Sequence, residues 1–170
     1  MAATKILRIK LLAIFIFSIL FCLLLPACGK AQKKTSASEK VQINKSDPWT
    51  ENDIIMPETL TAELKNNKEK PLIIQTGFKM LYDQEHIPNS IFTGPASINK
   101  GLVTLKDTLK NVNRNQYIVL YCGCCKWKEC PNIRPAFKAV KEMGFKNAKV
   151  LYLKNTFMID WVNRGYPAEH

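Results

Sequence analysis

The chain has 170 residues, enough for one α/β domain and a leader but not for two full domains. Its formal charge is +11 and its pI ≈ 9.4, a balance that first suggests nucleic acid. The lysines, however, are scattered or sit in a polar linker, with no patch of interleaved arginine and aromatic residues. Nucleic acid is therefore disfavoured as a partner, and a solvated basic surface near anionic lipid fits better.

Lys5, Arg8 and Lys10 form a positive start, followed by an apolar run from Leu11 to Leu25 interrupted only by Ser18 and Cys22. The run is short for a membrane span, which takes about 20 residues, and has the shape of an export signal. It closes on Leu25-Pro26-Ala27-Cys28, which resembles the lipobox of bacterial lipoproteins. That resemblance implies a signal peptide over 1–27, cleavage before Cys28 and lipid on Cys28. The domain would then be a membrane-anchored lipoprotein of the bacterial cell envelope, facing the periplasm or the exterior. An uncleaved anchor is the alternative, and it too tethers the domain outside the cytoplasm. Residues 28–47, with Lys30, Lys33, Lys34, Lys40 and Lys45 among serines and glutamines, read as a flexible linker.

From residue 48 to 170, short apolar runs alternate with helical patterns. Pro57 opens a helix to about Asn66, and Leu72–Gln75 is a short buried strand. Phe78–Asp83 is a short helix, and the turn His86-Ile87-Pro88-Asn89-Ser90 leads into a brief strand over Ser90–Phe92. A helix over Asn99–Val112 carries Leu102, Leu105, Leu109 and Val112 on one face. Tyr117–Tyr121 is the most apolar strand and suits the centre of a sheet. A helix over Pro131–Met143, with Ile133, Phe137 and Val140 facing inward, stops at Gly144. Ala148–Leu153 is a strand, and Thr156 caps a last helix to Asn163. The alternation predicts one α/β domain, with a central parallel sheet and helices on both faces. Reactive groups in such sheets lie beyond the carboxyl ends of the strands, where Cys122 falls.

Of six cysteines, Cys22 and Cys28 belong to the leader, leaving Cys122, Cys124, Cys125 and Cys130 in one loop. Metal binding is one reading, but C-x-C-C-x4-C is neither a zinc ribbon nor a finger, and no histidine is close. No metal and no cofactor are therefore expected. Thiol–disulfide exchange is a second reading, since Cys122-Gly123-Cys124-Cys125 is formally C-x-x-C between a strand and a helix. A thioredoxin-like layout needs a further hairpin and helix after its proline turn, and only three residues follow Pro167.

The third reading is a family resemblance. Leu72–Gln75, the turn His86-Ile87-Pro88-Asn89-Ser90, and Tyr117–Tyr121 running into Cys122 are similar to successive landmarks of the rhodanese-like sulfurtransferases. So are Met143-Gly144-Phe145-Lys146-Asn147-Ala148 and the closing Trp161-Val162-Asn163-Arg164-Gly165-Tyr166-Pro167. The resemblance implies a single rhodanese-like domain whose Cys122 takes sulfane sulfur from a small sulfur-containing anion, holds it as a persulfide and passes it to a thiol acceptor. A thiolate facing backbone N–H groups and a helix N-terminus is expected to be lowered in pKa. Gly123, Cys124, Cys125, Lys126, Trp127 and Lys128 would surround the anion, with Arg134 adding charge. Cys124, Cys125 and Cys130 are candidates for a resolving thiol or a structural disulfide, Cys125–Cys130 among them. A redox or sensing module without turnover is the alternative function. Three departures stand out: Gln75-Thr76-Gly77 replaces the family's Asp-Val-Arg, Lys154-Asn155 replaces its Gly-Gly, and the loop is longer and cysteine-rich. Cys122-x5-Lys128 also has phosphatase-cradle spacing, but lysine lacks the bidentate fork of arginine, which disfavours phosphate-ester hydrolysis. His86 is expected to hold its turn by hydrogen bonds, Trp127 at the loop tip either to cover the pocket or to contact a partner, and Trp161 to lie in the core.

Overall fold

Five short strands carry the architecture of the computed structural model, which describes residues 41, 43–66 and 70–170. They are β1 (Ile54–Ile55), β2 (Leu72–Gln75), β3 (Ile91–Phe92), β4 (Ile118–Tyr121) and β5 (Ala148–Leu151). Between them run α1 (Pro57–Asn66), α2 (Lys79–Gln84), α3 (Asn99–Leu109) and α4 (Ile133–Glu142), and α5 (Phe157–Asp160) follows β5. The signal segment, Cys28 and the linker through residue 40 lie outside the described residues. Among the described residues no helix is long and apolar enough to cross a membrane.

All pairings in the sheet are parallel, in the order β1-β5-β4-β2-β3. β4 sits in the middle with all four residues buried, as its continuous apolar run requires of a strand covered on both faces. Successive side chains point to opposite faces. Ile118 and Leu120 join Leu105 and Leu109 of α3 and Phe137 and Val140 of α4 in one apolar layer. Val119 and Tyr121 join Leu60 of α1 and Phe157 and Trp161 in the other. Carried one step further, the alternation puts Cys122 in the α3/α4 layer, beside the start of α4.

The expected elements are present, with two differences. β1 is an added edge strand, two residues long, too short to show any periodicity in the sequence. The last predicted helix breaks at Trp161, where φ −124° and ψ −67° depart from helical values, and a 3-10 turn over Val162–Arg164 follows. Trp161 is fully buried and its indole N–H donates to the Pro167 carbonyl at 2.8 Å, so the Trp-x3-Gly-x-Pro ending is a structural clasp. Gly165 serves it with a left-handed φ of 73°.

The His86–Ser90 turn is tied to the end of β4. The Ile87 N–H donates to the Tyr121 hydroxyl at 3.1 Å, and Ser90 Oγ lies 3.1 Å from the same oxygen. His86 exchanges two backbone hydrogen bonds with Glu169, and its Nδ1 lies 2.9 Å from the Tyr82 carbonyl, the structural role expected of it.

The N-terminal boundary differs from the linker expectation. Val41 and Ile43 pack on the α3/α4 layer, and Trp49 is buried in it. The Asp47 side chain has no exposed surface and accepts from Arg134 Nε at 2.8 Å. Chain expected to be solvated linker is thus a strap on the domain. An apolar residue every second position (Val41, Ile43) is too short a signal to separate from linker composition. Breaking an ion pair with one fully buried partner leaves a charge poorly compensated. Asp47→Asn should lower stability by about 2 kcal/mol, less than for a fully enclosed pair. Equilibrium denaturation checks this, and an unchanged midpoint would show that the strap does not hold the domain.

Candidate functional site

The site is the loop from Cys122 to Asn132, between β4 and α4. It starts with a turn that only glycine fits. Gly123 has φ 69°, and a Cβ there would stand 2.5 Å from Phe157 Cβ. The Gly123 carbonyl accepts from the Phe157 N–H at 3.0 Å, fastening the loop to α5. A 3-10 turn over Trp127–Glu129 follows, and the Trp127 N–H donates to the Lys154 carbonyl at 3.1 Å. That donor, expected in an anion nest, is committed to holding the loop.

Arg134 closes the far side. Its Nη1 donates to the carbonyls of Trp127 (3.2 Å) and Cys130 (3.3 Å), while its Nε holds Asp47. Its guanidinium also stands 5.3 Å from the Trp49 ring centre. Arg134 is a brace for the loop rather than a cation presented to a substrate. Trp127, expected at an exposed tip, is only 4% exposed and packs on Trp49 and Tyr152. The flanking Lys126 and Lys128 made it look exposed in the sequence, and these two are at the surface. The Trp127 indole N–H is buried without a hydrogen-bond partner among the described residues.

The four loop cysteines are free thiols, so the Cys125–Cys130 disulfide is not formed here. Their sulfurs converge. Cys122 Sγ lies 3.1 Å from Cys124 Sγ, which lies 3.4 Å from Cys125 Sγ. The sulfurs of Cys122, Cys124 and Cys130 are all within 4.8 Å of one another. Cys122, Cys125 and Cys130 line a pocket with Gly123, Trp127, Ile133, Leu151 and Leu153, whose walls are otherwise mostly apolar. Gly77, from the departing Gln75-Thr76-Gly77 segment, lies against Cys122, and a Cβ there would meet its Sγ at 3.1 Å.

Asn132 was not anticipated. It is fully buried just before α4, and its side chain does not cap the helix. Its Oδ1 accepts from the Ser97 N–H at 3.0 Å, which aims Nδ2 at Cys122 Sγ (3.4 Å) and Cys124 Sγ (3.6 Å). In the sequence it falls inside the helix expected over Pro131–Met143, and its neighbours carry no signal for this role.

The hydrogen bonds within the cluster oppose the lowering expected of Cys122 and act on Cys124 instead. The hydrogen bond that Cys122 donates to Cys124 pushes the Cys122 thiol up, and a bond with Cys130 and burial add to it. Cys124 is driven well below the ordinary thiol range, first by the bond from Cys122, then by one from Cys130, with Cys125 and Asn132 helping. Burial is the main cause that raises Cys125. For Cys130 the bond from Cys122 lowers the thiol, but the bond to Cys124 and burial outweigh it and the thiol rises. The backbone N–H groups of Asn132 and Ile133, at the start of α4, bond to Cys130 rather than to Cys122. The arrangement is thus a buried Cys122 thiol that donates to the less buried Cys124 across 3.1 Å, with Cys124 the thiol whose neighbours most favour its ionised form.

The remaining departure from the family pattern is also filled in. Asn155, in place of glycine, donates its backbone N–H (2.5 Å) and Nδ2 (3.0 Å) to the buried carboxylate of Asp160.

The sequence model of the rhodanese-like domain matches residues 57–157, more than half of the chain. No curated protein matches the chain significantly in sequence. Among solved structures, the rhodanese-like domain of an Anabaena protein shares 18% identity at a TM-score of 0.51, covering 69% of this chain and 78% of its own. A Bacillus halodurans protein shares 22% identity at 0.52, covering 68% and 74%. A single-domain sulfurtransferase of Saccharomyces cerevisiae shares 13% at 0.50, covering 66% and 90%. At these identities the likeness is one of fold. The family match, the parallel sheet and the cysteine loop between β4 and α4 agree, and the chain belongs to the rhodanese-like domain family.

Proposed function

We propose that the domain is a sulfurtransferase that carries sulfane sulfur on Cys122. The observation that carries this reading is the position of Cys122: directly after the central strand, in the wall of the pocket, with a proton acceptor in contact. As Cys122 attacks the outer sulfur of a thiosulfonate-type anion, its proton passes to Cys124. The S–S bond of the donor breaks, sulfite or its analogue leaves with the bonding pair, and Cys122 keeps the sulfur as a persulfide. The thiolate of an acceptor then attacks that outer sulfur, taking it as its own persulfide and returning Cys122, which completes a double displacement. Asn132 Nδ2, already directed at both sulfurs, supplies a donor to the negative charge. Lys126 and Lys128, exposed on the same loop, draw an anionic donor towards it.

The 3.1 Å contact between Cys122 and Cys124 also favours a second reading, a redox or sensing module in which this pair cycles between dithiol and disulfide. Thiosulfate:cyanide transfer separates the two. Cys122→Ala should fall to the uncatalysed background, while Cys124→Ala should keep turnover reduced by about 10²-fold, the usual scale for losing a proton acceptor. Equal background rates in wild type and Cys122→Ala would favour the redox module.

The positive start, the Leu11–Leu25 run and the Leu25-Pro26-Ala27-Cys28 closure support anchoring in the bacterial envelope through lipid on Cys28. The mass of the mature N-terminus should correspond to a chain that begins at a diacylated Cys28. An intact Met1 would rule that out.

A further inference from the structure

The C-x-C-C-x4-C spacing argues against a metal site, but the convergence of the loop sulfurs in space reopens that reading. We propose that Cys122, Cys124 and Cys130 form a three-thiolate site for a soft monovalent cation of the Cu+ class. The inference goes beyond sulfur transfer and does not depend on it.

Three observations carry it. First, three donor atoms from separate stretches of the loop converge within 4.8 Å of one another, two of them on buried residues. The path of the loop, not adjacency in the sequence, produces that convergence. Arg134 and Asn132 fix the path, so the ligands are held before any ion arrives. Second, the donors are all sulfur. Two of them, Cys122 and Cys130, face a pocket whose other lining residues are Cys125, Gly123, Trp127, Ile133, Leu151 and Leu153, with no carboxylate or imidazole; Cys124 lies outside that lining, its sulfur within 4.8 Å of both. Soft thiolates in an apolar setting select Cu+ or Zn2+ over Mg2+, Ca2+ or Mn2+. A three-sulfur set suits Cu+, whereas a structural zinc site closes with four ligands. Third, the sulfurs have outer partners. Asn132 Nδ2 reaches Cys122 Sγ at 3.4 Å and Cys124 Sγ at 3.6 Å. Such donors orient ligands and offset the negative charge left when one cation meets three thiolates.

Binding changes no oxidation state. Each ligating thiol gives its proton to solvent and forms one metal–sulfur bond. An ion on Cys122 Sγ also occupies the atom that would attack a sulfur donor, so a loaded site and sulfur transfer exclude each other.

The test uses the full chain, reduced and anaerobic in detergent. Cu+, added as its acetonitrile complex, is titrated against a competing chelator, and X-ray absorption is recorded at the copper edge. The expected result is one ion per chain in an all-sulfur, three-coordinate shell. Cys125→Ser should keep it, and the joint Cys122→Ser, Cys124→Ser, Cys130→Ser variant should lose it, reporting whatever Cys22, Cys28 and Cys125 bind alone. Asn132→Ala should weaken it by about 10- to 100-fold. Wild-type copper retention no better than that of the triple variant, or nitrogen or oxygen in the shell, would overturn the proposal. A parallel Zn2+ titration covers the four-ligand case. Tighter retention of Zn2+ than of Cu+, lost in Cys125→Ser, would replace it with a four-sulfur zinc site. The spectrum of the unaltered chain decides the ligand set even where a variant fails to fold.

Discussion

The guanidinium of Arg134 is the contact on which the site's geometry rests. It joins the carbonyls of Trp127 and Cys130 to the buried carboxylate of Asp47, 87 residues earlier in the chain. A loop of this length with four cysteines and two lysines has no hydrogen-bond ladder of its own. Fixing two of its carbonyls from α4, with Trp127 N–H fixed from Lys154, leaves the sulfurs few ways to lie. The strap that supplies Asp47 also supplies Trp49, which packs on Trp127 from the other side. Strap, loop and helix therefore stand or fall together.

With the backbone fixed, the electrostatics follow from which donors reach which sulfur. Cys122 is the innermost, and a lone thiolate there would be poorly hydrated. Its bond to Cys124 pushes its thiol up, while Cys124, less buried and accepting from several neighbours, is pushed down. The start of α4 reaches Cys130 instead. A strand–loop–helix arrangement thus does not by itself lower the pKa of the cysteine that follows the strand. Here the loop is long enough for the helix N-terminus to meet a different cysteine.

How much of this was legible depended on range. β2, β4, α3 and α4 announced themselves through apolar runs and helical spacing, and the parallel sheet followed from their alternation. The position of Cys122 beyond β4 followed from the same reasoning. What stayed hidden was set by contacts between distant residues. Trp127 between two lysines has the local appearance of an exposed tip, and only Trp49 and Tyr152 explain its burial. Arg134 looked like a free cation because its carboxylate lies in a segment that composition assigns to linker. Asn132 gave no signal because its partners, Ser97 and two sulfurs, are not its sequence neighbours. The convergence of Cys122, Cys124 and Cys130 was likewise invisible in C-x-C-C-x4-C, since spacing describes the chain and not the path it takes.

The central claim is that Cys122, not one of its three neighbours, carries the transferred sulfur. The most direct measurement is mass spectrometry of the full chain after anaerobic exposure to thiosulfate, with free thiols blocked and the loop peptides sequenced. One added sulfur is expected on Cys122, absent from Cys122→Ser. An added sulfur that persists on Cys124, Cys125 or Cys130 in the Cys122→Ser protein would contradict it.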